Sequence, residues 1–330
     1  MKLASFQVQT PVGRFPRIGS VQGTSQLIDL SSAYVALQAR RGEAQPYRLM
    51  EAFVPPDMRR LIEGGASALH AAREAEAFVL EAQSQGQAPQ GPQGETLVFA
   101  MQEVTLLPPL PHPHSLRDCL VFEKHMRRSY DASGTEPPRE WYGMPIYYKG
   151  NAASIVGHDQ DLIWPSYTEQ LDYELEMACI IGREGRDIRR EEADAYIFGF
   201  ACLNDFSARD IQMREMRCRL GPAKGKDFGT ALGPWIVTKD EVEDYQNLRM
   251  TARINGEVWS QGNSRDMYHN WTRIIEHVSM QETIYPTDVL GSGTVGLGCG
   301  LELNRWLKPG DVVELEIEKI GVLRNRVVRP

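Results

Sequence analysis

The segment LDYELEMACII, residues 171–181, constrains this chain more than any other, because an apolar strand-like run carries acidic side chains at alternate positions. Period-2 alternation puts Glu174 and Glu176 on one face of a strand, about 7 Å apart along it. Two carboxylates so placed repel each other unless a cationic group lies between them, and a hard divalent ion fills that role well. A solvated strand face bearing ordinary surface charge is the competing account. Further alternation over residues 248–254 and 312–317, bounded by Gly, Pro or Asp, adds strands. Beyond residue 110, helical spacing covers residues 120–130, 190–196, 208–216 and 268–280. Strands outnumber helices without a βαβ rhythm, so the fold class is α+β and not a doubly wound parallel sheet.

The first hundred residues read differently. Residues 3–8 and 27–30 look like short strands, and Pro55-Pro56-Asp57 opens a helical pattern to about Gln83, interrupted at Gly64-Gly65. A Gln/Gly/Pro-rich stretch over residues 83–95 reads as a surface loop. A strand-like run over 96–107 then ends in PPLPHPH. This places a small N-terminal α+β accessory domain at 1–110 and the main domain at 111–330. The sequence shows no internal repeat.

Composition excludes several function classes. With 36 Lys+Arg against 44 Asp+Glu the net charge is −8, the wrong sign for a nucleic-acid binder. No apolar run approaches the roughly 20 residues of a membrane span. The start, MKLASFQVQTPVGRFP, lacks an apolar core and does not read as a signal peptide. Five scattered cysteines without a CxxC give neither a disulfide framework nor a zinc-thiolate spacing, so a reducing, cytoplasmic setting is expected.

Other polar clusters carry a chemical and a plain reading side by side. In LNDFSARDIQ, residues 203–212, Asp205 ends an apolar run, and Arg209 and Gln212 lie three apart on a helix that starts near Ser207. Asp205 is either a polar group delivered to a site or an ordinary N-cap. In RDCLVFEKH, Asp118 precedes a helix and His125 follows two turns later, which suits a metal ligand and a nearby general base, although a cap with an unrelated surface histidine is the commoner situation. His112 and His114 form HPH in a Pro-rich turn, a weak ligand pair. GSGTVG at 291–296 spells GxGxxG, but the strand-like Leu301-Glu302-Leu303 follows where a helix is needed, so nucleotide binding is rejected in favour of a close-backbone turn offering the Thr294 hydroxyl. Residues 224–230, KGKDFGT, lack phosphate-loop order.

Taken together and in order, LDYELEMA, LNDFSARDIQ, GPAKGKDFGTALGPW and LKPGDVVELEIEKIGVLRNRV resemble the fumarylacetoacetate hydrolase family over roughly residues 115–330. The resemblance implies a β-rich mixed sandwich-like roll. It also implies one divalent cation (Mg²⁺, Ca²⁺ or Mn²⁺) on Asp118, Glu174, Glu176 and Asp205. His125 falls at the family's catalytic base, with Glu302 as its partner. Arg209, Gln212 and Lys226 match residues that stabilise negative charge, and Tyr148 and Thr294 match substrate contacts, as do Gln212 and Lys226. One departure is Leu120, which stands where the full hydrolases carry a substrate-contacting Tyr. Residues 125–143 fall at the family's lid, with Arg127, Arg128 and Arg139 as carboxylate clamps. The implied activity is hydrolysis of a carbon–carbon bond in a β-diketo acid of fumarylacetoacetate or acylpyruvate type by a homodimer, in aromatic catabolism by analogy. The alternative on the same scaffold is oxaloacetate decarboxylation or another diketo-acid lyase reaction.

Overall fold

A computed structural model describes residues 1–131 and 134–329. One long, mostly antiparallel sheet organises the chain. From one edge its strands are Val98–Ala100, Gln26–Asp29, Gly13–Gln22, Lys2–Thr10, Thr230–Thr238, Ile197–Asp205, Glu176–Ile181, Val289–Gly291, Leu116–Cys119 and Tyr147–Gly150. The strands from the first hundred residues thus extend the sheet of the later ones, through Leu3 opposite Ile236. A five-stranded sheet (Glu257–Asn263, Arg249–Ile254, Val312–Ile317, Gly321–Val328, Asp161–Ile163) covers one face of the long sheet.

Alternation sets what each face buries. Met177, Cys179, Ile181, Phe200 and Cys202 pack with Met250, Ala252, Leu315 and Leu323 of the smaller sheet. Ala178, Ile180, Ala201 and Leu203 point the other way, into a core shared with the N-terminal helices through Leu30, Ala33, Leu37, Leu61, Ala72 and Val79. Both faces are dry, which is why residues 177–181 read MACII, apolar throughout. The result is the strand-rich α+β architecture expected of the sequence.

Element boundaries show where local signals were incomplete. The helical pattern over 55–83 resolves into Met58–Glu63, capped by Asp57, and Gly65–Ser84, with Gly65 at φ +61° making the break. Helix Leu30–Arg40 was not foreseen, because it is buried over most of its circumference and lacks a polar stripe. Strand Gly13–Gln22 was missed because its first half is mostly exposed. The helix expected over 190–196 is a short 3₁₀ turn, Ala193–Tyr196. Two corrections touch the functional region. Asp118 lies in strand Leu116–Cys119, not ahead of a helix shared with His125, whose helix spans Glu123–Asp131. Leu301-Glu302-Leu303 belongs to a helical turn, Gly300–Leu303, and not to a strand. Three residues cannot establish a period, and the Asp172 carboxylate tips the balance by accepting from the Gly300 and Leu301 N–H groups at 2.7 and 3.0 Å.

Candidate metal centre and acid–base pair

Strand parity gathers the carboxylates. Asp118 shares a face with Leu116, Glu176 with Ala178 and Ile180, and Asp205 with Leu203 and Ala201, all on the side of the sheet that packs against the helices. Cross-strand pairing aligns them, with Glu176 opposite Leu203, Gly291 opposite both Ala178 and Asp118, and Asp205 opposite Thr230. Glu174 precedes its strand and is held by a bridge to Cys299. The four carboxylates are buried, and each brings an oxygen within 4.8 Å of the others. Asp205 caps no helix: the helix after it starts at Arg209, behind a short strand Ser207–Ala208.

Two cations serve one half of this cluster. Lys226 Nζ lies 2.6 Å from Glu174 Oε2 and 2.6 Å from Asp205 Oδ2. Arg209 reaches Glu174 Oε1 at 2.8 Å through Nη2, Asp172 at 2.8 Å through Nε, and Gln212 Oε1 at 2.9 Å through Nη1. Tyr148 donates to Asp205 at 2.6 Å, and Thr230 donates to its other oxygen at 3.3 Å. Burial is the largest influence on Glu174 and pushes its pKa up, but Lys226 and Arg209 outweigh it and hold the carboxyl well below the usual range.

Asp118 and Glu176 form the other half and, among the described residues, pair with no side-chain cation. Burial first, then the charge of Asp205, pushes Asp118 up to about 8. Burial, then Asp118 and Glu174, raises Glu176 as well. The Gly293 N–H donates to both, at 3.2 and 3.1 Å, and among the described residues buried Glu176 Oε1 has no hydrogen-bond partner. Four converging hard oxygens, two of them short of positive charge, match what a divalent cation with oxygen ligands needs. The cluster is therefore one that could hold a divalent metal ion.

Next to it, His125 Nδ1 lies 3.0 Å from Glu302 Oε2. The approach is out of line for a hydrogen bond, and His125 Nδ1 and Glu302 Oε1 are both buried without one. Burial pushes Glu302 up most strongly, yet contact with His125 and nearby backbone leaves it below the usual carboxylate range. His125 is close enough to be among the charges that lower Glu174. Thr294 is buried, its hydroxyl accepting from Leu175 N–H at 3.2 Å.

The structure thus brings together Asp118, Glu174, Glu176, Asp205, Lys226, Arg209, Gln212 and Tyr148, with His125 and Glu302 alongside. Of the lid segment, residues 132 and 133 lie outside the described residues. Arg127 is engaged by Glu123 at 2.8 Å and Tyr142 at 2.6 Å, while Arg128 approaches the Glu302 carbonyl at 3.5 Å. The end of the lid is pinned by buried Trp141, which donates to the Leu120 carbonyl at 2.8 Å. The HPH histidines do not converge: His112 is exposed and His114 turns to Asp288 at 2.8 Å. Sequence reasoning overlooked Asp172, which ties Arg209 to the turn bearing Glu302. Its signal was the same alternation, since residues 172, 174 and 176 are all acidic and all share one parity.

Known proteins resemble this chain in sequence and in fold. Residues 116–328 match the family model described as fumarylacetoacetate (FAA) hydrolase C-terminal. The human mitochondrial oxaloacetate tautomerase FAHD2A is 34% identical over 277 residues, covering 83% of this chain and 81% of the relative. Among solved structures, a fumarylacetoacetate hydrolase from Exiguobacterium antarcticum superposes with a TM-score of 0.70 at 24% identity, covering 99% of this chain and 100% of that one. A maleylpyruvate hydrolase from Sphingobium sp. SYK-6, solved with manganese(II) and pyruvate, gives 0.67 at 24% identity over 100% of this chain and 99% of its own. The family model spans well over half of the sequence, and the chain belongs to the fumarylacetoacetate hydrolase family.

Proposed function

We propose that this protein hydrolyses a carbon–carbon bond in a β-diketo acid of fumarylacetoacetate or acylpyruvate type, using one divalent cation held by Asp118, Glu174, Glu176 and Asp205. The observation that carries the reading is the buried His125–Glu302 contact beside a carboxylate cluster half of which lacks a counter-charge. Bound Mg²⁺, Mn²⁺ or Ca²⁺ supplies Lewis acidity to the substrate's dicarbonyl oxygens. His125, steadied by Glu302, takes a proton from water, a contribution typically worth ~10²–10⁴-fold. The resulting hydroxide adds to the acyl carbonyl. Arg209, Gln212 and Lys226 face the developing oxyanion with fixed donors. The carbon–carbon bond then breaks, leaving the new acid and an enolate, that of a 2-oxo acid from an acylpyruvate or of a 3-oxo acid from fumarylacetoacetate, and the proton on His125 returns to that carbon. Tyr148 and Thr294 orient the substrate, and Leu120 offers an apolar wall where a hydroxyl contact is expected in the full hydrolases. The proposal includes a homodimer in a reducing, cytoplasmic compartment, where the five free cysteines stay thiols.

A second reading is keto–enol tautomerisation of a 2-oxo dicarboxylate such as oxaloacetate, favoured by the 34% identity to an oxaloacetate tautomerase. It needs proton transfer at carbon but no attacking water. Decarboxylation of oxaloacetate shares the enolate and likewise dispenses with water.

A Mg²⁺/Mn²⁺-dependent assay on fumarylacetoacetate, acetylpyruvate, a longer acylpyruvate and oxaloacetate separates these readings. Loss of diketone absorbance with release of two acids, abolished by EDTA and by His125→Ala, is the expected result. Accelerated decay of oxaloacetate enol with no cleavage product of any substrate would replace hydrolysis by tautomerisation. Carbon dioxide release surviving His125→Ala would make the protein a decarboxylase.

A further inference from the structure

Cys299 has no part in the chemistry above, yet it completes a second cluster. It is buried immediately before the Gly300–Leu303 turn. Its Sγ lies 3.5 Å from Glu302 Oε2, and His125 Nδ1 lies 3.0 Å from that same oxygen. Sulfur, nitrogen and carboxylate oxygen all fall within 4.8 Å of one another. His125 is only 7% exposed, and its Nδ1 makes no hydrogen bond, nor does Glu302 Oε1. Buried polar atoms left unsatisfied cost ~1–3 kcal/mol each, so such a pair favours any ligand that can satisfy both.

We propose that His125 Nδ1, Cys299 Sγ and a Glu302 carboxylate oxygen bind a thiophilic divalent cation of the zinc(II) class, separately from the four-carboxylate centre. Tetrahedral zinc, with bonds of ~2.3 Å to sulfur and ~2.0–2.2 Å to nitrogen and oxygen, sets its ligand atoms ~3.3–3.6 Å apart. The sulfur–oxygen and nitrogen–oxygen spacings of 3.5 and 3.0 Å need only a few tenths of an ångström of adjustment, and sulfur and nitrogen already lie within 4.8 Å of each other. Thiolate and imidazole select a soft or borderline cation, whereas the all-oxygen cluster selects a hard one, so the two sites discriminate by chemistry. Binding breaks the Cys299 S–H bond and releases the proton to solvent while the sulfur's electron pair goes to the metal. Three protein ligands leave a fourth position for water. Occupancy ties up the nitrogen and carboxylate of the acid–base pair and so inhibits turnover. That inhibition rests on the role proposed for His125, whereas the binding does not.

Cobalt(II), added to the whole protein in the presence of saturating Mg²⁺, reports the site directly. A thiolate-to-cobalt charge-transfer band in the near ultraviolet is expected, lost in Cys299→Ser and displaced by one equivalent of Zn²⁺. Cys299→Ser, and Cys299→Ala as a second variant, should keep basal activity and weaken zinc inhibition at least about tenfold, the scale of losing a metal-site interaction. No band in the native protein, or an unchanged band in both variants, would overturn the site. So would zinc inhibition that Mg²⁺ relieves equally in native and variant proteins, which assigns the ion to the carboxylates. A band with unimpaired turnover upholds the site and overturns His125 as the base.

Discussion

The carboxylate cluster and the His125–Glu302 pair occupy one site but are built from different materials. Asp118, Glu176 and Asp205 stand on paired strands of a sheet dry on both faces, and their spacing follows from strand geometry. His125 and Glu302 stand on a nine-residue helix and a four-residue turn outside the sheet, joined by one imperfect contact. In the cluster, position is fixed and charge balance is incomplete. In the pair, a carboxylate faces an imidazole across elements that lie outside the sheet. A frame of paired strands suits ligands that must hold an ion at fixed distances, and a separate mounting lets the proton-transferring group be set without disturbing them.

If that contrast holds, paired substitutions should separate stability from activity. Lys226→Met removes the cation that bridges Glu174 and Asp205, leaving buried Asp205 without its paired ammonium and Glu174 with Arg209 alone. It should cost about 3–5 kcal/mol of folding stability, measurable by urea titration, and abolish turnover as well. His125→Ala should lower kcat by ~10²–10⁴-fold while moving the denaturation midpoint far less. Equal stability losses in the two variants would erase the distinction between frame and mounting.

The same contrast explains what could be read in the amino-acid sequence. Glu174 and Glu176 were visible because alternation along a strand is a two-residue rule. Asp205 and Arg209–Gln212 were visible as a strand end and the start of a helix. That Asp118 joins them depends on a parallel pairing with Val289–Gly291, about 170 residues away in the chain, which no local rule encodes. Family resemblance supplied this position, along with His125 and Glu302. Glu302 shows the limit of local reading most clearly, because its helical turn is set by the distant Asp172 carboxylate. The long sheet was legible as strand-rich α+β, but the pairing of Leu3 with Ile236, which runs the N-terminal strands into it, was not.

Charge imbalance in the cluster predicts a pH signature opposite in sign to that of Glu302, whose carboxyl is held below the usual range. Without a divalent ion, Asp118 holds its proton up to about 8 and Glu176 is raised too, by burial and by each other's charge. Unfolded carboxyls release theirs near pH 4. Between these limits the folded protein binds more protons than the unfolded one, so ion-free stability falls as pH rises from about 4 towards about 8. A divalent ion takes the place of those protons, and its stabilising effect grows across the same window. At a hundredfold excess over Kd the gain is ~2.7 kcal/mol. Thermal melts with and without Mn²⁺ should diverge as pH rises from about 5 to about 8, and a constant gap would contradict the proton-for-ion exchange.

Gly291 offers the smallest and most local break. It sits opposite both Ala178 and Asp118, and its missing side chain is what lets the Asp118 carboxylate lie across the strand towards Glu176. A methyl group there would meet the Asp118 carboxylate directly and crowd Leu203 Cδ2 at 2.8 Å. Both obstacles are packed against buried neighbours, so Gly291→Ala should destabilise the fold by ~1–3 kcal/mol, the usual range for overpacking. Its diagnostic effect is on the ion: Asp118 must rotate away, so Mn²⁺ affinity measured by calorimetry should weaken while the cobalt band of the Cys299 site persists. Stability lost with Mn²⁺ affinity unchanged would mean that Asp118 is not a ligand and that the ion, if bound, rests on Glu174, Glu176 and Asp205 alone. The frame would then be narrower than the sheet pairing implies.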